Sequence, residues 1–250
     1  MQKWLSVQTG RLMLSMLLTS CAALTQPEPV ILPFQAVVVT TSDWNCIEGV
    51  LQGYERISPD APWERVIDKI PVVVGHNGMG WGIGLHPLPM PEGPVKKEGD
   101  GRAPAGIFRL SSCFGYAPSG EVTWIRLPYR QAKPQLLCID DTQSAYYNRI
   151  VDATRMKADW QGHEKMLRSD DRYHFGIVID HNMDPPAAGK GSCIFMHIWE
   201  GPSQGTAGCT AMASHHLERL LCWLDPAAMP ALIQVPDPEY DRLRGPWRLP

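Results

Sequence analysis

Proline and glycine recur along most of the chain and interrupt it before a long helix can form. The 250 residues include 23 Pro and 22 Gly. Proline breaks a helix, and glycine weakens one. Between these breaks lie short apolar runs of the kind that form strands, at residues 72–74, 106–110, 122–127, 136–139, 175–179 and 193–198. The pattern predicts a mainly β domain with a few peripheral helices.

Three segments have apolar residues at helical spacing. The first is 45–56, with Ile47, Val50, Leu51 and Tyr54 on one face. The second is the leucine-rich stretch 217–224, for which Ser214 is the expected N-cap and Asp-Pro at 225–226 the end. The third is 146–168, the weakest of the three patterns. We therefore expect helices at these places.

The first twenty residues have the pattern of a secretory signal. Lys3 and Arg11 are their only charges, and residues 12–18 are apolar apart from Ser15. A membrane span needs about 20 apolar residues, so this run is too short for one. The segment ends Leu-Thr-Ser-Cys21, which resembles a bacterial lipobox. The alternative is an ordinary first helix with a chance cysteine.

A lipobox implies an exported, periplasmic lipoprotein held at a membrane by acyl chains on Cys21. The predicted organisation is a lipoprotein signal peptide at 1–20, a lipid-anchored tether at 21–40 and a single domain at 41–250. Removal of the signal peptide changes the formal charge from −3 to about −5. A mildly acidic chain of this kind is not expected to bind nucleic acid. The oligomeric state is left open.

Six of the seven cysteines remain if Cys21 carries lipid. They are Cys46, Cys113, Cys138, Cys193, Cys209 and Cys222. In an oxidising compartment, three disulfides are one possibility. If one cysteine is a nucleophile, five remain, so at least one more is unpaired, as a small buried hydrophobe. The spacing contains no CxxC pair, which argues against a zinc ribbon.

Cys209 is the candidate nucleophile. It lies in Gly-Thr-Ala-Gly-Cys-Thr-Ala-Met at 205–212, where small residues allow a sharp turn and Gly208 allows close approach to an oxyanion. Residues 191–199 alternate like a strand that ends near His197. An imidazole beside the thiol would activate it, and an imidazolium would lower its pKa. The alternative is a buried cysteine in a tight turn and a structural histidine.

These residues carry a resemblance to a known family. Residues 192–224 resemble the catalytic core of the L,D-transpeptidases of the YkuD family, whose pattern is a histidine, a spacer and Ser/Thr-His-Gly-Cys. The match here is His197 followed by Thr206-Ala207-Gly208-Cys209. Residues 100–108 look like the family's Thr-Pro-x-Gly-x-Phe strand, and the likeness extends over about 70–235.

The chain departs from that pattern in two ways. Ala207 replaces the motif histidine, and the spacer is shorter than the commonest one. The likeness is to a branch with the Thr-Ala-Gly-Cys form. We therefore expect the site to be functional, with His174 or His181 as spatial substitutes for the missing ring.

The resemblance implies a YkuD-like β-sandwich or barrel and a two-step acyl transfer without metal or organic cofactor. Cys209 would attack a peptidoglycan stem peptide and expel the terminal D-alanine, in cell-wall biogenesis, cell-shape maintenance or wall degradation. His197 would move the proton, oriented by a backbone carbonyl near Ile198. The backbone N–H groups of Gly208 and Cys209 would form the oxyanion hole.

Other residues are candidates for substrate binding. Lys96, Lys97 and Arg102 could bind stem-peptide carboxylates. The remaining candidates lie on strand ends or close to the pair: Tyr173, His174, Asn182, Trp199 and Thr206. For each of them, the alternative is a structural or solvated role.

Three alternatives to a transpeptidase stay open. A carboxypeptidase or amidase-type hydrolase would use the same thiol with water as acceptor. A wall-binding lipoprotein would have kept the fold without activity. A zinc hydrolase would take its ligands from His174, His181, His197, Cys193 and Cys209, although no HExxH or comparable spacing is present.

Overall fold

Eight strands close into a barrel. In the computed structural model, the sheet runs β10-β11-β12-β3-β2-β1-β13-β5, and β5 pairs back onto β10. Most pairs are antiparallel, but β1–β13 and β11–β12 are parallel. Two short strands, β4 and β6, extend β5 in parallel. The prediction of a mainly β fold is confirmed.

The strand bounds are as follows. The barrel strands are β1 (Gln35–Thr41), β2 (Glu48–Glu55), β3 (Glu64–Val73), β5 (Ala103–Gly115), β10 (Phe175–Ile179), β11 (Phe195–Ile198), β12 (Thr210–Met212) and β13 (Ala231–Pro236). The two attached strands are β4 (Met79–Trp81) and β6 (Tyr129–Gln131). A separate small sheet contains β7 (Leu136–Cys138), β8 (Ile150–Asp152) and β9 (Glu164–Lys165), in the order β8-β7-β9.

The structure describes residue 1, residues 33–87 and residues 92–250. The predicted signal peptide, Cys21 and most of the tether therefore lie outside the described residues. Strand β1 begins at Gln35 and pairs with both β2 and β13. Residues 35–40 are thus part of the barrel, and the predicted tether boundary at residue 40 is too late. Within the described ranges, no helix is both long and apolar enough to cross a membrane.

Two α-helices pack against the barrel. Helix α1 (Ser214–Trp223) buries Leu217, Leu220 and Leu221 in the main core. Burying a leucine side chain fully contributes about 1.5–3 kcal/mol. The predicted helix is confirmed, but Ser214 is its first residue and Ala213 is the N-cap. Helix α2 (Asp237–Arg244) was not predicted.

The predicted helix at 45–56 is wrong, because this segment forms β2 between β1 and β3. Its two glycines explain the difference. A Cβ on Gly49 would lie 2.7 Å from the Thr40 carbonyl oxygen, and one on Gly53 would lie 2.8 Å from the Ile67 Cβ. Glycine therefore permits close strand packing here, whereas inside a helix each would cost about 1 kcal/mol.

The predicted helix at 146–168 is also wrong, because the segment forms β8, β9 and turns. Aspartate side chains accept backbone N–H groups here. Asp152 accepts from Thr154, and Asp159 accepts from Ala145. Such bonds compete with helical ones. The predicted strand at 122–127 is wrong as well. A 3₁₀ turn (Ser119–Glu121) is followed there by a further turn, closed by the Ile125 N–H bond to the Val122 carbonyl.

The small sheet β7–β9 belongs to a segment, residues 136–168, which we call the cap. A disulfide joins Cys138 of β7 to Cys193, just before β11. The Asn148 side chain adds bonds to the His181 and Asn182 carbonyls and to the Cys193 N–H. The cap is therefore joined, by one covalent bond and three hydrogen bonds, to the segment between β10 and β11.

Of the six cysteines outside the signal region, two form this disulfide. Cys46, Cys113, Cys209 and Cys222 are free thiols in the described part of the chain. Cys113 is buried, and burial raises its pKa to about 12. It therefore behaves as a small hydrophobe, as expected for a leftover cysteine.

Candidate functional site

A cavity of about 690 Å³ lies between the barrel and the cap. Cys209 and His197 both line it. The turn 205–208, Trp199 and Glu200 form the barrel wall, and Asp140, His163, Glu164 and Arg168 form the cap wall. Fold topology thus brings the predicted nucleophile and base onto one cavity.

The parallel pairing of β11 and β12 explains this arrangement. His197 is in register with Ala211, and Met196 with Thr210. Cys209 immediately precedes β12, and its Sγ accepts the N–H of Phe195 at 3.3 Å. Phe195 and His197 share one face of β11 because side chains alternate along a strand. The thiol and the imidazole therefore lie on the same side of two adjacent strands.

His197 is held as a neutral base. Its Nδ1 lies 2.8 Å from the Ile198 carbonyl oxygen. A carbonyl only accepts, so Nδ1 carries the proton and Nε2 keeps its lone pair. The Tyr173 ring packs edge-on against the imidazole at 5.3 Å between ring centres. Burial lowers the pKa of His197 to about 4. The expected orientation by a carbonyl at Ile198 is confirmed.

Cys209 is held as a neutral thiol. It is 8% exposed. Burial and then the charge of Glu164 raise its pKa to about 12, although the Phe195 N–H and Lys96 act in the opposite direction. The pKa shifts of Cys209 and His197 therefore both favour the neutral forms of the thiol and the imidazole.

The turn before Cys209 is shaped by Thr206. Its hydroxyl donates to the Cys209 carbonyl at 2.6 Å and accepts the Gly208 N–H at 3.0 Å. The Gly208 N–H is therefore occupied, and its predicted oxyanion role is not supported. The Cys209 N–H has no acceptor among the described residues. Of the two N–H groups predicted to form an oxyanion hole, that of Cys209 is therefore the one left free to donate.

The role of Gly208 is instead to adopt a backbone conformation and a close approach that other residues do not allow. Its φ is 153°, and a Cβ would lie 3.0 Å from the Arg102 carbonyl oxygen. A glycine is needed where the chain makes such an approach. The same Cβ position is 3.7 Å from Lys96 Nζ. The Lys96 ammonium therefore lies beside the turn that leads to Cys209.

Three cations at residues 96–102 were predicted to bind substrate, and Lys96 is the one of them that lines the cavity. It is 3% exposed, and its ammonium donates to Asp100 Oδ1 at 2.5 Å and to the Lys97 carbonyl at 2.7 Å. The Asp100 carboxylate also accepts the N–H groups of Lys97 and Arg102, which fixes the loop. Lys96 is therefore positioned to stabilise negative charge near Cys209.

The predicted binding residues divide into two groups. Tyr173, Trp199 and Thr206 line the cavity. Arg102 instead donates to the Trp44 and Met79 carbonyls and to Asn45 Oδ1. Asn182 donates to the Ala187 and Gly191 carbonyls. Lys97 and His174 are exposed away from the cavity lining. Lys97, Arg102, His174 and Asn182 therefore do not line the cavity that holds Cys209 and His197.

The missing motif histidine is not replaced by the expected candidates. His181 is buried, with Nδ1 accepting the Ile83 N–H and Nε2 donating to the Lys190 carbonyl. His174 packs against Tyr116 and Phe175. Neither ring lines the cavity. The zinc alternative loses Cys193 to the disulfide, and the described residues contain no group of three or more metal-binding side chains.

The charged residues on and beside the cap wall were not among the predicted site residues. Tyr173 donates to Glu164 Oε1 at 2.5 Å. Arg168 and Arg172 both donate to Asp170, and these bonds hold the pKa of Asp170 well below its usual value. Arg172 also pairs with Glu200 at 2.6 Å. The dense charges at 163–172 were the available signal, but that segment was assigned in part to a helix.

Comparison of the chain with family models, with curated proteins and with solved structures found no match.

Proposed function

We propose that this chain is a cysteine-dependent acyltransferase of the L,D-transpeptidase type that acts on peptidoglycan stem peptides. One observation carries the proposal. A free thiol and a neutral, carbonyl-oriented imidazole open onto one large cavity, in the order of the motif His, spacer, Thr-Ala-Gly-Cys. The YkuD-like fold is part of the proposal, and the closed barrel with its parallel β11–β12 pair supports it.

The first half-reaction follows from the two neutral groups. As Sγ of Cys209 attacks the peptide carbonyl carbon, Nε2 of His197 takes the thiol proton. Negative charge develops on the carbonyl oxygen beside the Cys209 N–H and the Lys96 ammonium. The C–N bond then breaks, and the departing D-alanine amine receives the proton from Nε2. The product is a thioester on Cys209.

In the second half-reaction an acceptor amine attacks the thioester, and the thiol of Cys209 is regenerated. Water as acceptor would give hydrolysis, which is the carboxypeptidase alternative of the same site. A non-catalytic lipoprotein would have no need for the Ile198 bond that frees Nε2. That bond favours an active enzyme over a binding protein.

The proposed location is the periplasmic face of a membrane, through a lipid on Cys21. Support comes from the lipobox-like Leu-Thr-Ser-Cys and from the Cys138–Cys193 disulfide. Disulfides of this kind form in oxidising compartments. Mass spectrometry of the membrane-extracted protein would test the anchor, since a lipidated chain begins at Cys21 and carries acyl groups.

Purified protein incubated with a defined tetrapeptide muropeptide and a D-amino acid tests the enzymatic proposal. Wild type should release D-alanine and form the exchanged or cross-linked product, detected by mass. Cys209→Ala and His197→Ala should form none, while Cys222→Ala, which removes an exposed thiol, should match wild type. A wild-type protein that turns over no stem peptide would overturn the proposal.

A further inference from the structure

Glu164 is a carboxylate of the cavity wall that the first half-reaction does not use. It lies in β9 of the cap and lines the same cavity as Cys209 and His197. Its Oε1 accepts the Tyr173 hydroxyl at 2.5 Å. Tyr173 in turn packs against His197 and belongs to the same buried cluster as Cys209. One hydrogen bond therefore links Glu164 to the tyrosine that touches the catalytic pair.

The neighbouring arginines do not occupy the Glu164 carboxylate with hydrogen bonds. Arg168 Nη1 lies 3.7 Å from Glu164 Oε1, which is longer than a normal hydrogen bond. Arg168 and Arg172 are bound instead to Asp170. The charges of Arg168 and Arg172 favour the ionised form of Glu164, and Asp140 opposes it. Among the described residues, the Tyr173 hydroxyl is the one group that makes a short hydrogen bond to the Glu164 carboxylate, which therefore has acceptor capacity left for a ligand.

We propose that Glu164 binds the acceptor ammonium and serves as its general base in the second half-reaction. The inference rests on the proposed function. An amine enters as R–NH₃⁺, pairs with the Glu164 carboxylate, and gives it one proton. The neutral nitrogen then attacks the thioester carbonyl, and the C–S bond breaks. The second proton of the new amide nitrogen passes through His197 to the Cys209 sulfur, which leaves Glu164 protonated until it returns its proton to water.

Two proton acceptors, His197 and Glu164, are needed for a physical reason. His197 accepts only one proton at Nε2, and an ammonium must lose one before it is a nucleophile. Burial raises the pKa of Glu164, which brings a carboxylate closer to the range useful for general-base work. Glu164 of the cap would therefore act on the incoming amine, while Cys209 and His197 of the barrel would act on the donor peptide.

Glu164→Gln tests the inference in the full-length protein. Glutamine keeps an acceptor for the Tyr173 hydroxyl but cannot take up a proton. Two rates are measured separately: formation of the Cys209 thioester with a tetrapeptide donor, and its transfer to D-methionine against transfer to water. Glu218→Gln, an exposed carboxylate on α1, is the charge-matched control, and thermal melting checks that each variant is folded.

We expect Glu164→Gln to form the thioester within about threefold of the wild-type rate and to transfer it to the amine about 10²-fold more slowly. Tyr173→Phe keeps the ring against His197 and should reduce amine transfer more than acylation. Equal losses in both steps, or unchanged amine transfer, would overturn the inference while leaving the proposed function intact. Failure of wild type to form the thioester would overturn both. Wild-type transfer to water alone would overturn the inference and would replace the transpeptidase proposal with its carboxypeptidase alternative.

Discussion

Removal of the Cys138–Cys193 disulfide tests how much this bond between the cap and the barrel contributes to the free energy of unfolding. The bond joins residues 55 positions apart. In the chain-entropy description, closing a loop of that length in the unfolded state contributes about 4 kcal/mol to the free energy of unfolding. For a domain of this size, each kcal/mol corresponds to about 2–4 °C in melting temperature. The double variant Cys138→Ala/Cys193→Ala should therefore melt about 10 °C below wild type.

Urea unfolding of the double variant, of wild type and of Cys222→Ala gives the comparison. Cys222 is an exposed free thiol, so its removal should change the free energy of unfolding by less than about 0.5 kcal/mol. Reduction of wild type by dithiothreitol should reproduce the loss seen in the double variant, and the double variant should be insensitive to the reductant. A double variant as stable as wild type, with the bond verified by mass in wild type, would refute the reasoning.

Three further predictions concern the site. Thr206→Val removes the hydroxyl that bridges Gly208 and Cys209. Urea unfolding should show that the free energy of unfolding falls by about 1–3 kcal/mol, and acylation should slow. An unchanged free energy of unfolding would contradict the role of this hydroxyl. Lys96→Met should slow thioester formation about 10²-fold and reduce the reactivity of the Cys209 thiol toward alkylation, and an unchanged rate would exclude an electrostatic role. His197 and His181 are both buried, and burial lowers each pKa to about 4. Because both folded-state values lie below the unfolded value, stability should be complete above pH 6.5 and fall as the pH drops toward 4. A flat stability profile across that range would show that these rings are not buried.

The mainly β architecture follows from local features of the chain. Proline and glycine limit helix length, and apolar runs such as 175–179 and 106–110 lie within strands of the barrel. The error at 45–56 arose because apolar residues at helical spacing outweighed Gly49 and Gly53. Those glycines are understood only once β1 and β3 approach from either side. Strand pairing is non-local, so a single segment carries little of the information that decides it.

Part of the candidate site could likewise be predicted from the sequence, and part could not. Cys209 and His197 are predicted from a short motif, a histidine followed by Thr-Ala-Gly-Cys, and both line the cavity. Lys96 is one of three cations predicted at 96–102, and local sequence does not distinguish it from Lys97 and Arg102, which do not line the cavity. Glu164 lies in a charged segment, and only the position of the cap over the barrel brings it to the cavity. The cap is brought over the barrel by a disulfide and by Asn148, whose partners lie 33–45 residues away. Contacts of that range could not be derived from local spacing.

The most direct test is the intact mass of the protein, quenched with acid during acylation by a tetrapeptide donor without an acceptor amine, followed by peptide mapping. We predict an adduct on Cys209 equal to the donor minus alanine, which is absent when His197 is replaced by alanine. A protein whose mass stays unchanged, or an adduct on any of the other free cysteines, would contradict it.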